Sequence, residues 1–308
     1  MSNNDSPQHP SNQQNHQQKN NDEGHDGSPY IGCEIVLTTK HEKSLAIAPI
    51  IQQLLGANIV EFNADTDSLG TFSGEVERQG TPLETVKKKC QWALDETKYL
   101  YALASEGSFG PHPAVPFVAC NTETLYFIDK ARNLDVDVTE LFTETNYQMT
   151  EVSSLEQLLE FADKALFPSH GLIVRPLPKS NDLPIFKGIC DRDDLEAAYR
   201  SARELSVAGK VWVETDMRAH LNPTRMANIG KLTEQLAKRL KSLCPKCQSP
   251  GWGRINVKRG LPCRWCNTPT EMVLVEIYGC NQCGHQAELP RSDGEETADP
   301  GACPVCNP

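Results

Sequence analysis

No stretch of this chain approaches the roughly 20 consecutive apolar residues that span a bilayer, so the sequence predicts neither a membrane segment nor a membrane partner. The first 29 residues lack the apolar run of a secretion signal. They are rich in Asn, Gln, Ser and His and bury too little surface to offset the entropy of ordering. A disordered tail over 1–29 is expected, with His9, His16 and His25 solvated rather than ligating. Basic charge is not in excess either. Thirty Lys and Arg face 41 Asp and Glu, for a formal net charge of -11, which excludes a surface uniformly suited to coating nucleic acid. No internal repeat is visible apart from the paired cysteines described next.

What the chain does have is 308 residues with 38% hydrophobic content, enough for one or two domains plus small modules. It also has twelve cysteines. Cys33, Cys90, Cys120 and Cys190 stand alone and suit small buried apolar positions. The other eight form four C-x-x-C pairs: Cys244/Cys247, Cys263/Cys266, Cys280/Cys283 and Cys303/Cys306. Without a secretion signal these pairs point to metal rather than disulfides, and to a cytoplasmic protein. Two cysteines three residues apart on a tight knuckle aim both sulfurs at one ion, and a second knuckle completes a tetrahedron. The gaps between pairs one and two and between pairs three and four fall in the range of zinc sites. Consecutive pairing is therefore expected, giving two zinc ribbons in tandem. The alternative is that pairs two and three share an ion while pairs one and four meet. Four thiolates leave no open coordination position, so both zinc ions are structural.

Ahead of the cysteines, strands and helices alternate. Strands are expected at 31–37, 58–62, 100–104, 124–129, 172–175 and 211–214. Helices are expected at 44–55, at 154–166, at 193–206, from Thr81-Pro82-Leu83-Glu84, and over 223–240 behind an Asn222 cap. Pro49 suggests that the first helix starts there. Lys87 to Lys89 mostly point away from the apolar face of theirs, and 105–113, full of Gly and Pro, is expected to be a loop. The fold class is an α/β layered domain over 30–242, with a subdivision allowed near residue 150, followed by two small zinc-ribbon modules over 243–308.

In such sheets, ligands bind beyond the carboxyl ends of strands. Polar residues collect at three of these ends: 38–43, 105–107 and 214–218. Thr38, Thr39 and Lys43, then Glu84 on a helix, then Glu106 beside Gly107 follow one motif order. In that order, residues 31–130 resemble the inosine-triphosphatase-like nucleotide pyrophosphatases. The resemblance implies that Thr38, Thr39 and Lys43 grip phosphates and that Glu106 is a general base or magnesium ligand. Lys40 stands where that family has asparagine. Strands 172–175 and 211–214, with Arg175 and Glu214, are faintly similar to ATP-grasp nucleotide domains. The blocks 104–113, 214–220 and 222–226, with the closing cysteine pairs, resemble a bacterial family whose domain has no assigned function.

Charge is uneven. Residues 218–264 carry eleven Lys/Arg against Glu234 alone, with Trp252 and Trp265 among them. Such a stretch suits phosphate contact and base stacking, or it docks on the acidic remainder of the chain.

Two functions follow. The first is a metal-dependent hydrolase of a nucleotide or related phosphate compound. Glu106 and Asp216 would be catalytic, with Asp65, Asp67 or Asp216 as ligands of magnesium, a further candidate cofactor. Lys43, Arg218 and Arg225 would clamp phosphates. The second is a zinc-ribbon protein that binds nucleic acid or a partner through residues 218–264 without catalysis. Clustering of Lys43, Glu106, Asp216 and Arg218 around one cleft would support the first, and scattering would sink it.

Overall fold

The structure is a computed structural model of the chain and describes residues 27–65, 80–180 and 182–308. The expected tail with its three histidines, apart from 27–29, and the candidate ligand Asp67 lie outside the described residues.

The α/β expectation holds. The first sheet contains β1 (Glu34–Thr38), β2 (Asn58–Phe62), β3 (Tyr101–Pro111), β4 (Ala119–Asp129) and β5 (Leu134–Phe142), in the order β2-β1-β3-β4-β5. β1 pairs in parallel with both β2 and β3, and the β3-β4-β5 side is antiparallel. Helix α1 (Ser44–Leu55) returns the chain from β1 to β2 on one side, and α2 (Pro82–Glu96) carries it back past β1 to β3. The two crossovers run in opposite directions, so uniform handedness puts their helices on opposite faces. Accordingly, α1 and α5 (Pro223–Lys241) pack Ile47, Ile51, Ile229 and Leu236 on Ile35, Leu37, Leu103 and Phe127. α2 packs Val86, Cys90 and Ala93 on Val36, Ala102 and Ala104 across the other face.

A second sheet, order β6-β9-β7-β8, is wholly antiparallel: β6 (Met149–Val152), β7 (Leu172–Pro176), β8 (Phe186–Ile189) and β9 (Val211–Thr215). Its apolar core is shared with α3 (Leu155–Lys164) and α4 (Arg192–Leu205). The C-terminal region holds an antiparallel meander, β10 (Gly253–Arg259), β11 (Val273–Gly279) and β12 (Gln286–Pro290). Among the described residues, no helix is long and apolar enough to cross a membrane.

Helix caps follow the sequence closely. Thr81 and Glu84 form a complete capping box, Ser154 and Asp191 cap α3 and α4, and the Asn222 side chain accepts from the Arg225 amide. Two local expectations are corrected. α1 begins at Ser44 and contains Pro49, because its apolar face packs on the sheet both before the proline, at Ile47, and after it, at Ile51 and Leu55. Residues 105–111, expected as a loop, continue β3 and pair residue for residue with Ala119–Leu125. Their glycines serve approach rather than turning. A Cβ on Gly107 would lie 2.4 Å from an Arg225 guanidinium nitrogen and 2.5 Å from Glu123 Oε1, the usual reason for glycine inside a strand.

Candidate active site and metal centres

β1 lies where the connections diverge, with β2 to one side and β3 to the other. The crevice at the carboxyl ends of β1 and β3 is therefore the switch point of the sheet, the ordinary ligand position of open α/β sheets. β1 stops at Thr38, opposite Ala104, whereas β3 runs on to Pro111. Lys43, at the mouth of α1, fills the step. Its ammonium donates to Ser105 O at 3.1 Å and Ser105 Oγ at 2.9 Å.

Two buried ion pairs flank it, one on each face of the sheet. On the α2 face, Lys89 Nζ meets Glu106 Oε2 at 2.5 Å, and the Lys89 carbonyl accepts from Thr38 Oγ1 at 2.9 Å. On the α5 face, Arg225 Nε meets Glu123 Oε1 at 2.7 Å with both side chains shut from solvent, and Arg225 also donates to Met217 O at 2.5 Å. Lys43 feels all four of these charged groups. Burial first, then repulsion from Arg225 and Lys89, pulls its pKa down to about 7, against the attraction of Glu106 and Glu123.

The sequence-derived site residues separate into two groups. Thr38, Thr39, Lys43, Glu106 and Arg225 gather at the switch point. Thr39 Oγ1 is buried there without a hydrogen-bond partner among the described residues. Asp216 and Arg218 instead pair with each other, with Arg218 Nη2 2.6 Å from Asp216 Oδ2, so only Lys43 and Glu106 of the expected four-residue cluster meet at the switch point, and Asp216 is not placed there as a catalytic group. Asp216 is fully buried and also accepts from the Gly188 amide at 3.1 Å, which ties the end of β9 to β8. Their segment still reaches the β1–α1 turn, because His220 stacks on His41 with ring centroids 5.2 Å apart. Glu84 is held as a cap by the Thr81 amide and hydroxyl, and those bonds lower its pKa. Arg175 and Glu214, the pair suggested by the ATP-grasp likeness, bond to one another at 2.6 Å.

Lys89 and Glu123 were not singled out by the sequence. Lys89 was expected to point outward, yet three residues after Val86 and four before Ala93 it shares their face. Glu123 alternates with Leu125 and Phe127 on the core side of β4, so the period of two would have shown it inward.

The cysteines form two groups, Cys244/Cys247/Cys280/Cys283 and Cys263/Cys266/Cys303/Cys306, with all four sulfurs of each group within 4.8 Å of one another. Neighbouring sulfurs lie 3.5 to 3.9 Å apart. A tetrahedron with ~2.3 Å metal–sulfur arms has edges of about 3.8 Å. Consecutive pairing is therefore corrected: pair one joins pair three, and pair two joins pair four. The reason is the meander. One strand, β10, separates the first two knuckles, and seven residues at about 3.3 Å each put those knuckles roughly 23 Å apart. β11 runs back and sets Gly279 beside Gly253, which brings knuckle three to knuckle one. β12 reverses again, and Ala298 bridges to Cys263. Each knuckle repeats one backbone pattern, in which the residue after the second cysteine donates to the first cysteine's carbonyl, as from Gln248 to Cys244 and Asn267 to Cys263. Ser249 and Thr268 lower the Cys247 and Cys266 thiols to about 6 through side-chain and backbone hydrogen bonds, which favours the thiolate a metal binds.

Among the described residues these are the only groups of three or more Cys, His, Asp or Glu side chains that could share an ion. Asp65 is exposed and pairs with Lys40 at 2.9 Å. Magnesium thus finds no ligand set there.

Residues 89–308 match the family model of a domain of unknown function, DUF6671. The chain belongs to that family. No curated protein and no solved structure matches it. The DUF6671 part includes Lys89, Glu106, Glu123, Arg225 and all eight paired cysteines, while Thr38, Thr39 and Lys43 precede it.

The basic stretch 218–264 is largely engaged. Arg225 is buried on Glu123, Lys231 bonds Glu144 at 2.6 Å, Arg254 bonds Glu276 at 3.0 Å, and Arg264 bonds Asp299 at 3.1 Å. Arg239 clasps the cysteine-paired region to the first sheet, donating to Gly251 O at 3.1 Å and Asp137 O at 2.6 Å. Trp252 stacks on His285, whereas Trp265 is 76% exposed.

Proposed function

We propose that this protein binds the phosphates of a nucleotide or related phosphate compound at the crevice between β1 and β3, hydrolyses that compound there, and carries two structural zinc ions. The observation that carries the binding step is a charge imbalance. Among the described residues, three buried cations, Lys43, Lys89 and Arg225, surround two carboxylates, and Lys89 and Arg225 pair with those carboxylates. Lys43 is left with one carbonyl and one hydroxyl. A buried ammonium with no carboxylate bonded to it directly is expensive, and a phosphate oxygen supplies that contact. Two further features support an anion. Thr39 Oγ1 lacks a partner among the described residues, and α1 opens without a side-chain cap or an acidic residue in its first turn, which suits the positive end of its dipole to an anion.

In the hydrolytic step, water attacks phosphorus, the bond to the leaving oxygen breaks, and Glu106 accepts the water's proton. Lys43 and the α1 terminus hold phosphate oxygens, while Lys89 and Arg225 keep Glu106 and Glu123 in position. Zinc suits the tetrads because four soft thiolates at tetrahedral spacing are its ordinary structural set.

Calorimetric titration of inorganic triphosphate tests binding. The wild type is expected to bind and Lys43→Met to lose at least tenfold in affinity; equal affinity overturns the site. Release of phosphate from nucleoside triphosphates, with and without magnesium or manganese, tests hydrolysis. Glu106→Gln is expected to abolish it, and unchanged turnover removes Glu106 as the base.

A further inference from the structure

Asn121 lies outside the groups used above. Its side chain is 1% exposed, and neither Oδ1 nor Nδ2 has a hydrogen-bond partner among the described residues. A buried amide with both ends unmet carries a desolvation penalty that a leucine of similar volume would avoid, so packing alone gives no reason for it. Its position does. Asn121 is two residues before Glu123 on β4 and points to the same face, roughly 7 Å along the strand from the Glu123–Arg225 pair. In register it sits between Phe109 on β3 and Phe142 on β5. Phe109 has the Arg225 guanidinium 5.2 Å from its ring centre and the Tyr147 ring 5.7 Å away. One donor and one acceptor, fixed in a plane among aromatic rings beside a cation, complement a flat heterocycle that shows an adjacent acceptor and donor on one edge.

We propose that Asn121 is a specificity-determining residue of the switch-point site, its amide binding the hydrogen-bonding edge of a nucleobase whose phosphates lie at Lys43. This rests on the phosphate reading above. The ring edge donates to Oδ1 and accepts from Nδ2, so one ligand satisfies both unmet atoms.

The test is calorimetric titration of the full chain with inorganic triphosphate and with each of the four ribonucleoside triphosphates, using the wild type and Asn121→Leu. Urea unfolding of both ligand-free proteins accompanies it. The wild type is expected to prefer at least one nucleotide over inorganic triphosphate by roughly 5- to 150-fold, the worth of a bidentate amide contact. Asn121→Leu is expected to lose that preference, keep its affinity for inorganic triphosphate, and resist urea at least as well as the wild type. Asn121→Val, shorter and suited to a strand, repeats the comparison if the leucine variant does not fold. A preference that survives either substitution overturns the proposal, and so does a wild type without preference. In the latter case inorganic triphosphate still binds and the phosphate site stands. Absence of any binding removes both.

Discussion

Lys43 is the residue whose chemistry sets the behaviour of the crevice. Its pKa, drawn down to about 7 chiefly by burial, lies below the ordinary 10.5 of lysine. Between those values the unfolded chain binds more protons than the folded one, so ligand-free stability rises with pH across that window. Lys43→Met should flatten this rise, as thermal unfolding at successive pH values would show. A bound phosphate favours the ammonium and raises its pKa. Affinity for inorganic triphosphate is therefore greatest below about 7 and declines as pH climbs through it. The Lys43→Met variant should show only the ligand's own titration.

Glu123 and Arg225 make a second claim at this scale. Both are shut from solvent, so Glu123→Ala leaves a buried guanidinium without its partner. It should cost about 3–5 kcal/mol, measurable by urea unfolding. Gly107→Ala pushes a methyl group into the same pair and should cost about 1–3 kcal/mol. Arg225 and Lys43 were visible in the sequence as basic groups near strand ends and helix starts. Their partners were harder to see, because a charged residue at an inward position, such as Lys89 or Glu123, defies the usual solvated reading until the period of its element is followed strictly.

Among the elements, caps and helices were legible because their signals are local: Thr81 with Glu84 and Asn222 before Pro223. β5 was missed although Leu134, Val136 and Val138 alternate along it, and β6 and β8 were missed as short strands, each only four residues long. The extension of β3 was hidden by Gly107, Gly110 and Pro111, which usually signal turns; only the distant Arg225 explains the first of them. The cysteine knuckles were plain in sequence, but their partition depends on whether one strand or a hairpin separates two knuckles. Residues 253–259 form a single strand, so the tetrads interleave. Paired substitutions distinguish the two arrangements. Cys244→Ser with Cys280→Ser removes two ligands from one site and should leave one zinc per chain by native mass spectrometry. Cys244→Ser with Cys263→Ser damages both sites and should leave none. Consecutive pairing reverses these outcomes.

At the scale of the molecule, an α/β body and the cysteine-paired region meet where Arg239 donates to both Gly251 O and Asp137 O of β5, and Asn281 donates to Asp135 O of β5. The core of α5 belongs to the first sheet, so the body does not depend on the metal for its apolar packing. Strong chelation should therefore unfold only the part beyond α5, since small cysteine-ligated regions draw their folding energy from the ion. Limited proteolysis after chelation should leave a resistant fragment ending near residue 242. The layered class was readable from alternating elements. The order of strands, which makes β1 and β3 the switch point, was not, because it rests on pairings between residues far apart in sequence. The most direct measurement is a crystal structure of the full chain with inorganic triphosphate. The account predicts phosphate oxygens within hydrogen-bond reach of Lys43 Nζ and Thr39 Oγ1 at the carboxyl end of β1. Triphosphate bound instead along the basic groups of 238–264, with Lys43 still bonded only to Ser105, would contradict it.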